Sequence, residues 1–250
     1  MKIMIRIFIL YILTILLSSC NTYKDLNTAL ANPLKVKKLN LSNSGIRELP
    51  PEIGNLTNLQ SLNLFRNKLE TLPPEIGKLK HLEKLVLSSN KLKILPPELG
   101  NLEALKDLSL QNNQLTSLPN EIGKLNNLEL LKLYYNKLNS LPPSIGQLIN
   151  LQYLYIEHNN ISLLPREIGN LERLKFFYIG KNQLDYLPEE IGNLSNLIEF
   201  NVSTSGVLLK VPDSICNLRK LELFYVDANT LVPYCLQTRL SPRFKILIGQ

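Results

Sequence analysis

The feature that most constrains this chain is an asparagine that returns every 23 residues, at Asn67, Asn90, Asn113, Asn136, Asn159 and Asn182. Around each lies the same phrase, LxxLxLxxNxLxxLP. The stretch from Leu59 through Leu62, Leu64, Asn67, Leu69 and Leu72 to Pro73 is one copy, and Leu82–Pro96, Leu105–Pro119 and Leu128–Pro142 repeat it. A fixed period of this length means that one structural unit is stacked many times. The LxL core of the phrase reads as a short strand whose two leucines point to one side. A single copy cannot bury its own leucines, so stacking must supply the core, and strands that always cross over the same way must lie parallel. The asparagine sits where the chain leaves the strand. Its amide carries donors and an acceptor that can satisfy backbone groups buried by the turn. Asn67, Asn90, Asn113, Asn136, Asn159, Asn182 and, in the last copy, Asn229 are therefore expected to form a ladder.

Each Leu-Pro is followed by a second phrase, such as Pro74-Glu75-Ile76-Gly77-Lys78-Leu79. Proline ends strand pairing because it lacks a donor, and Pro-Glu suits the first residues of a helical turn. Glycine at the end of the phrase is expected to permit a tight exit. The combined pattern resembles the leucine-rich-repeat family, in its 23-residue form with LPxEIGxLxxL in the second half. The resemblance runs from Val36 to Pro233. It implies an α/β solenoid, a curved horseshoe with a parallel sheet on the concave face and short α or 3-10 turns on the convex face.

The expected organisation is a signal segment over 1–19, an N-terminal cap over 20–35, about nine repeats over 36–233 and a C-terminal cap over 234–250. The ends of the stack are irregular. Ser44 and Ser205 replace the asparagine in copies one and eight, Phe200 and Val202 replace leucines, and one extra residue enters before Val211-Pro212. Copy eight is therefore the expected kink. Thr22 to Leu30 reads as a short helix shielding the first copy, and Phe244, Ile246, Leu247 and Ile248 as the cover of the ninth.

The first residues, MKIMIRIFILYILTILLSSC, combine a basic start at Lys2 and Arg6 with an apolar run from Ile7 to Leu17. That is the composition of an export signal, and the run is short for a bilayer span. The closing Leu17-Ser18-Ser19-Cys20 resembles a bacterial lipoprotein signal. The resemblance implies cleavage before Cys20, acylation of Cys20 and a lipid anchor in the bacterial cell envelope, at an outer membrane or cell surface or facing the periplasm. Two other readings of the residues stand beside it: an ordinary cleaved signal with Cys20 a free thiol, and an uncleaved N-terminal anchor. In an exported protein a disulfide persists. Cys216 and Cys235 follow Pro212 and Pro233 at nearly equivalent places on adjacent turns, so either they bridge or they are two buried thiols.

The net charge is +7, and leaving out Lys2 and Arg6 lowers it to +5. The remaining basic residues are scattered among acids rather than gathered in the stripe that nucleic-acid binders show, so no nucleic-acid partner is expected. His81 and His158 are the only histidines. Neither they nor the cysteines have a metal-ligand or nucleophile spacing, and the glycines belong to the EIG turns. No enzyme activity, cofactor, metal or small-molecule substrate is expected.

The residues beside the LxL leucines face the concave side. In copies one to four they are mostly small and polar. In copies five to seven they become Leu130, Lys132, Tyr134, Tyr153, Tyr155, Glu157, Phe176 and Tyr178, with Tyr135 and His158 at the rim, and copy nine adds Leu223 and Tyr225. A strand position open to solvent does not need an aromatic for folding, and large amphipathic rings are favoured interface anchors. Tyr134, Tyr153, Tyr155, Phe176 and Tyr178 are the candidate contact residues, with Lys132, Glu157 and His158 giving polar register. The competing reading is cross-strand stacking that only steadies the sheet. The expected function is non-enzymatic recognition of a protein, host or matrix components included, by a membrane-anchored module. The alternatives are a structural, envelope-organising scaffold lipoprotein and a recognition subunit of a separately encoded enzyme.

Overall fold

The computed structural model describes residues 22–206 and 208–249. Its framework is one open sheet of eleven parallel strands in sequence order. The nine repeat strands are β2 (Lys38–Asn40), β3 (Ser61–Asn63), β4 (Lys84–Val86), β5 (Asp107–Ser109), β6 (Leu130–Lys132), β7 (Tyr153–Tyr155), β8 (Phe176–Tyr178), β9 (Glu199–Asn201) and β10 (Leu223–Asp227). They are flanked by β1 (Thr22–Tyr23) and β11 (Lys245–Gly249). Register is constant, residue i lying beside i+23 from β2 to β9, and shifts to i+24 between β9 and β10. That one-residue shift is the insertion in copy eight.

In the three-residue strands β2 to β9 the middle residue is buried and, apart from Ser109, its two neighbours are not; β10 alternates in the same way over five residues. The buried column runs Leu39, Leu62, Leu85, Leu108, Leu131 and Leu154, then continues as Phe177, Phe200 and Phe224, whose rings stack at 5.2 and 5.6 Å. The second buried column shrinks where the first grows: Leu133 gives way to Ile156, Ile179, Val202 and Val226. Volume is thereby held roughly level, which is the condition for repacking a core at small cost.

Behind the sheet each of the first eight repeats makes a five-residue 3-10 turn, from Pro51–Asn55 in the first copy to Asp213–Asn217 in the eighth, and the ninth makes the short α-helix Tyr234–Gln237. The glycines of these turns do not have positive φ; only Gly45 does. Their purpose differs from a tight exit. A Cβ on Gly100 would lie 2.2 Å from the Glu121 carbonyl oxygen of the next copy, so glycine lets neighbouring turns stack in contact. In the last 3-10 turn the equivalent position is Cys216, against which the helix Tyr234–Gln237 packs instead of another 3-10 turn. Cys216 is joined to Cys235 by a disulfide, with Cα atoms 6.0 Å apart.

The asparagine ladder runs from Asn67 to Asn182. In Asn113, Nδ2 donates to the carbonyls of Leu87 (3.0 Å) and Leu110 (2.9 Å), while Oδ1 accepts from Leu92 N–H at 3.0 Å. The same three bonds recur at Asn90, Asn136, Asn159 and Asn182. Asn229 does not belong to it. It is exposed, because β10 runs on as a paired strand to Asp227 and copy nine lacks the left-handed residue that precedes the other ladder positions. Ser205 closes the ladder with its own atoms: Oγ donates to Ile179 O at 3.0 Å, and its backbone carbonyl accepts from Leu184 N–H. The residue before each ladder position lies in the left-handed region, φ being 53–58° at Asn43, Arg66, Ser89, Asn112, Tyr135, His158, Lys181 and Thr204. This is a recurrent cost of roughly 1–2 kcal/mol per turn, offset by the bonds the turn allows its neighbour to make.

Both ends differ from the sequence reading in one respect: each adds a strand. Thr22–Tyr23 pair with Lys38–Leu39 rather than starting a helix, and the helix spans only Leu26–Ala31, capped by Asp25 through Thr28 N–H. At the other end β11 pairs along all five residues of β10. Phe244 and Ile246 pack against the core, whereas Ile248 stays exposed. No helix among the described residues is long and apolar enough to cross a membrane.

Removing an asparagine amide strands three buried backbone groups, each costing about 1–3 kcal/mol. Asn113→Ala is expected to lower unfolding stability by about 3 kcal/mol or more, read from the denaturant midpoint. Asn229→Ala is expected to change it by less than about 0.5 kcal/mol, as for an ordinary surface position.

Candidate concave recognition face

Strand register turns the concave positions into rows. One row carries Leu130, Tyr153, Phe176, Glu199 and Leu223, and the next carries Lys132, Tyr155, Tyr178, Asn201 and Tyr225. Neighbours in a row sit on adjacent parallel strands, so rings at successive positions are brought together. Tyr153 stacks on Phe176 with centroids 5.1 Å apart and planes within 6°, and Tyr155 meets Tyr178 at 5.2 Å. Tyr178 also lies 6.4 Å from Tyr225, across the shorter Asn201. All of these rings are half-buried, with one face on a neighbour and the remainder open to solvent.

The rim is a second aromatic set. Tyr134 meets Tyr135 edge-on at 5.8 Å, and Tyr135 stacks on His158 at 3.9 Å. Tyr135 and His158 occupy equivalent left-handed positions on successive turns, which aims their side chains along the same direction. Burial and then the charge of Lys181 hold the His158 imidazolium below its usual range. His158 is thus a neutral stacking ring near neutral pH.

Polar groups on the face are set by the aromatics around them. Tyr178 Oη donates to Glu199 Oε2. Its phenol is held well above the usual range, first by burial and then by that bond and the Glu199 charge. Tyr155 is raised as well, by burial and then by Tyr153, Glu157 and Glu199. Glu157 Oε2 is buried without a hydrogen-bond partner. Burial pushes this carboxyl up from 4.5 to about 7, against the lowering pull of its own backbone N–H. Glu157, read from the sequence as a group giving polar register, is therefore not a fixed negative charge. Near neutrality it is about half protonated and both donates and accepts.

The structure thus gathers Tyr153, Tyr155, Phe176 and Tyr178 into one stacked block and sets Lys132 beside Tyr155 in the same row. Tyr134 and His158 join the rim cluster around Tyr135. Glu199 and Asn201 complete the block and were not singled out in the sequence. They occupy the same strand slots as Phe176 and Tyr178, and continuing the column through the irregular eighth copy finds them. Cys20 lies outside the described residues. Among the described residues no group of three or more His, Cys, Asp or Glu side chains could hold a metal.

The repeat pattern is shared with known proteins. The family described as a leucine-rich repeat region matches residues 8–114 and 97–177. The chain belongs to the leucine-rich repeat family. A comparison with curated proteins finds no match. Among solved structures, the plant peptide hormone receptor RGFR1 in complex with RGF2 is 28% identical, with a TM-score of 0.72 over 82% of this chain and 34% of the receptor chain. A TDR receptor is 30% identical, with a TM-score of 0.70 over 81% of this chain and 37% of the other. An internalin C2 from Listeria monocytogenes is 25% identical, with a TM-score of 0.67 over 79% of this chain and 83% of that one. This chain therefore spans only about a third of the two receptor chains. Leucine-rich repeat proteins are in general scaffolds for protein interaction rather than catalysts.

Because the folded pKa of Glu157 lies above its unfolded value of 4.5, the folded state holds the proton more tightly between the two. Stability is then expected to fall as pH rises from 4.5 to about 7 and to level off above. Glu157→Gln should flatten that part of the stability–pH profile, measured by thermal melts in a buffer series.

Proposed function

We propose that this leucine-rich repeat protein recognises a protein or peptide on the aromatic block of its concave face, as an exported module held to a bacterial envelope membrane by acylated Cys20. The observation that carries the reading is the stacked set Tyr153–Phe176 and Tyr155–Tyr178, kept half-open on the solvent side of a sheet whose hydrophobic demand is already met by the leucine columns. The stack also pre-orders the rings. Rotamer freedom is lost on folding rather than on binding, which favours affinity. Glu157, with an unsatisfied buried oxygen, and Lys132 offer the polar contacts that fix orientation around an apolar anchor. The likeness to a receptor solved with a peptide hormone supports the binding of a polypeptide on this fold, and the likeness to an internalin supports its use by a bacterium. The localisation rests on Leu17-Ser18-Ser19-Cys20 and on the basic and apolar residues before it. A pure scaffold would leave an aromatic face half-exposed without use.

Stacking and binding separate by magnitude. Loss of two stacked pairs costs roughly 1–3 kcal/mol of stability, whereas removing two interface anchors costs about 2 kcal/mol or more each. The full chain serves as bait against extracellular-matrix and envelope proteins, and the captured partner is then titrated. Tyr153→Ser with Tyr155→Ser is expected to weaken its binding by about five-hundredfold or more, with a modest fall in melting temperature. Undiminished affinity in that double variant would discard the concave block as the binding site. Mass spectrometry of the chain from bacterial membranes tests the anchor, and an unmodified Cys20 removes it.

A further inference from the structure

The first turn of the stack carries an unusual surface. Residues 22–38 contain four lysines, Lys24, Lys35, Lys37 and Lys38, against one acid, Asp25. That is a net +3 in a short segment of a chain whose total is +7. All four lysines are exposed. Farther along the solenoid, lysines find carboxylates on the adjacent copy, as in Lys84–Asp107 at 2.6 Å, Lys80–Glu103 at 2.8 Å and Lys106–Glu83 at 3.0 Å. The first turn has no such complement: Lys38 is flanked in register by Thr22 and Ser61. Among the described residues none of the four lysines makes an ion pair. The one acid is engaged elsewhere, since Asp25 caps the helix through Thr28 N–H and Oγ1 at 2.7 Å, and those bonds hold its carboxyl below the usual range. Next to Lys35 on the 3-10 turn Pro33–Lys35 lies Leu34, 68% exposed.

We infer that this N-terminal end of the solenoid is a docking surface for an anionic lipid bilayer. Unpaired lysines are drawn to anionic headgroups, and an exposed leucine beside them can enter the headgroup layer. A phosphate-only partner such as a nucleic acid gives the leucine nothing to contact. The inference rests on the anchored reading above for its geometry. Cys20 is two residues from Thr22, a reach of about 7 Å at most, so acylation there holds the first turn within about a Debye length of the headgroups. A single acyl chain binds only marginally, and a basic patch is the kind of second attachment that makes binding stable. Docking this end directs the long axis of the stack away from the membrane and leaves the concave face clear. The far end is less suited: of its three cations, Arg243 lies 3.7 Å from Glu222, and Arg239 donates to Leu218 O.

The test mixes the full chain with vesicles of phosphatidylcholine alone or with added phosphatidylglycerol, then labels amines with an impermeant reagent and locates them by mass spectrometry. Lys24, Lys35, Lys37 and Lys38 are expected to react about fivefold more slowly on the anionic vesicles, the factor one lysine–headgroup attraction supplies. Lys91 and Lys137 should be unaffected, and high salt should abolish the difference. Equal labelling on both vesicles overturns the proposal. So does stronger protection of the same lysines by duplex DNA than by anionic lipid, which assigns the surface to nucleic acid. A chain that stays in the supernatant with neutral vesicles contradicts the anchor instead, while the anionic arm still decides the docking surface.

Discussion

The interaction on which everything else depends is the contact between one repeat and the next. No copy of this chain has a core of its own. The middle leucine of each strand, the second leucine of LxL and the isoleucine of the convex turn are buried only because the following copy lies against them. The polar requirement follows the same route. Asn113 satisfies the carbonyl of Leu87 in the copy before it and accepts from Leu92 N–H, also in the copy before. Apolar and polar cohesion therefore run in one direction through the same interfaces, and a stack of this kind stabilises by nearest-neighbour terms. The solvent face of the sheet is spared from that work, and its residues are free to vary.

That division explains what could be read in the sequence. The period, the parallel strands and the identity of the buried columns follow from leucines at fixed spacing. The ladder from Asn67 to Asn182 follows from the chemistry of an amide at a turn. What escaped has a physical cause in each case. The left-handed residue before each asparagine is Arg66, Ser89, Asn112, Tyr135, His158 or Lys181 and never glycine, so composition carries no mark of it. The EIG glycines read as turn geometry, whereas the space they leave is claimed by a carbonyl 21 residues away. Asn229 fits the ladder phrase because the local pattern survives, but pairing with β11 keeps the chain extended to Asp227 and the left-handed turn is not made. Thr22–Tyr23 is too short to show any periodicity.

The ends show how a one-dimensional stack stops. An interior turn needs glycine because another turn lies on it, and the last 3-10 turn replaces that glycine with Cys216, whose partner Cys235 comes from the cap. Ser205 replaces the asparagine in the same copy and covers both of its functions, with a hydroxyl as donor and a backbone carbonyl as acceptor. Gly206 is required there, since a Cβ would lie 2.1 Å from Leu184 O. The ladder is thus terminated by substitution rather than left with unpaired groups.

The aromatic block grows out of the same interfaces. From copy seven the first core column changes from leucine to phenylalanine, and the solvent side carries Phe176, Tyr178 and Tyr225 opposite Phe177 and Phe224. Strands β8 and β10 are therefore aromatic on both faces. The rings on the buried side fix strand spacing and register. The rings on the solvent side inherit that register, which places Tyr155 over Tyr178 and Tyr153 over Phe176 without any contact of their own having to specify it. An aromatic surface built in this way is as rigid as the core beneath it. Its acidic member, Glu157, is tuned by the same crowding: the rings that would anchor a partner also strip water from the carboxyl and hold it close to half protonation near neutral pH. Covering the face with a ligand that lacks a positive charge would remove still more water and favour the protonated form, so binding such a partner should take up a proton. A cation set against Glu157 would instead drive the proton off, and the direction of proton exchange therefore reports the charge of the group that occupies the site.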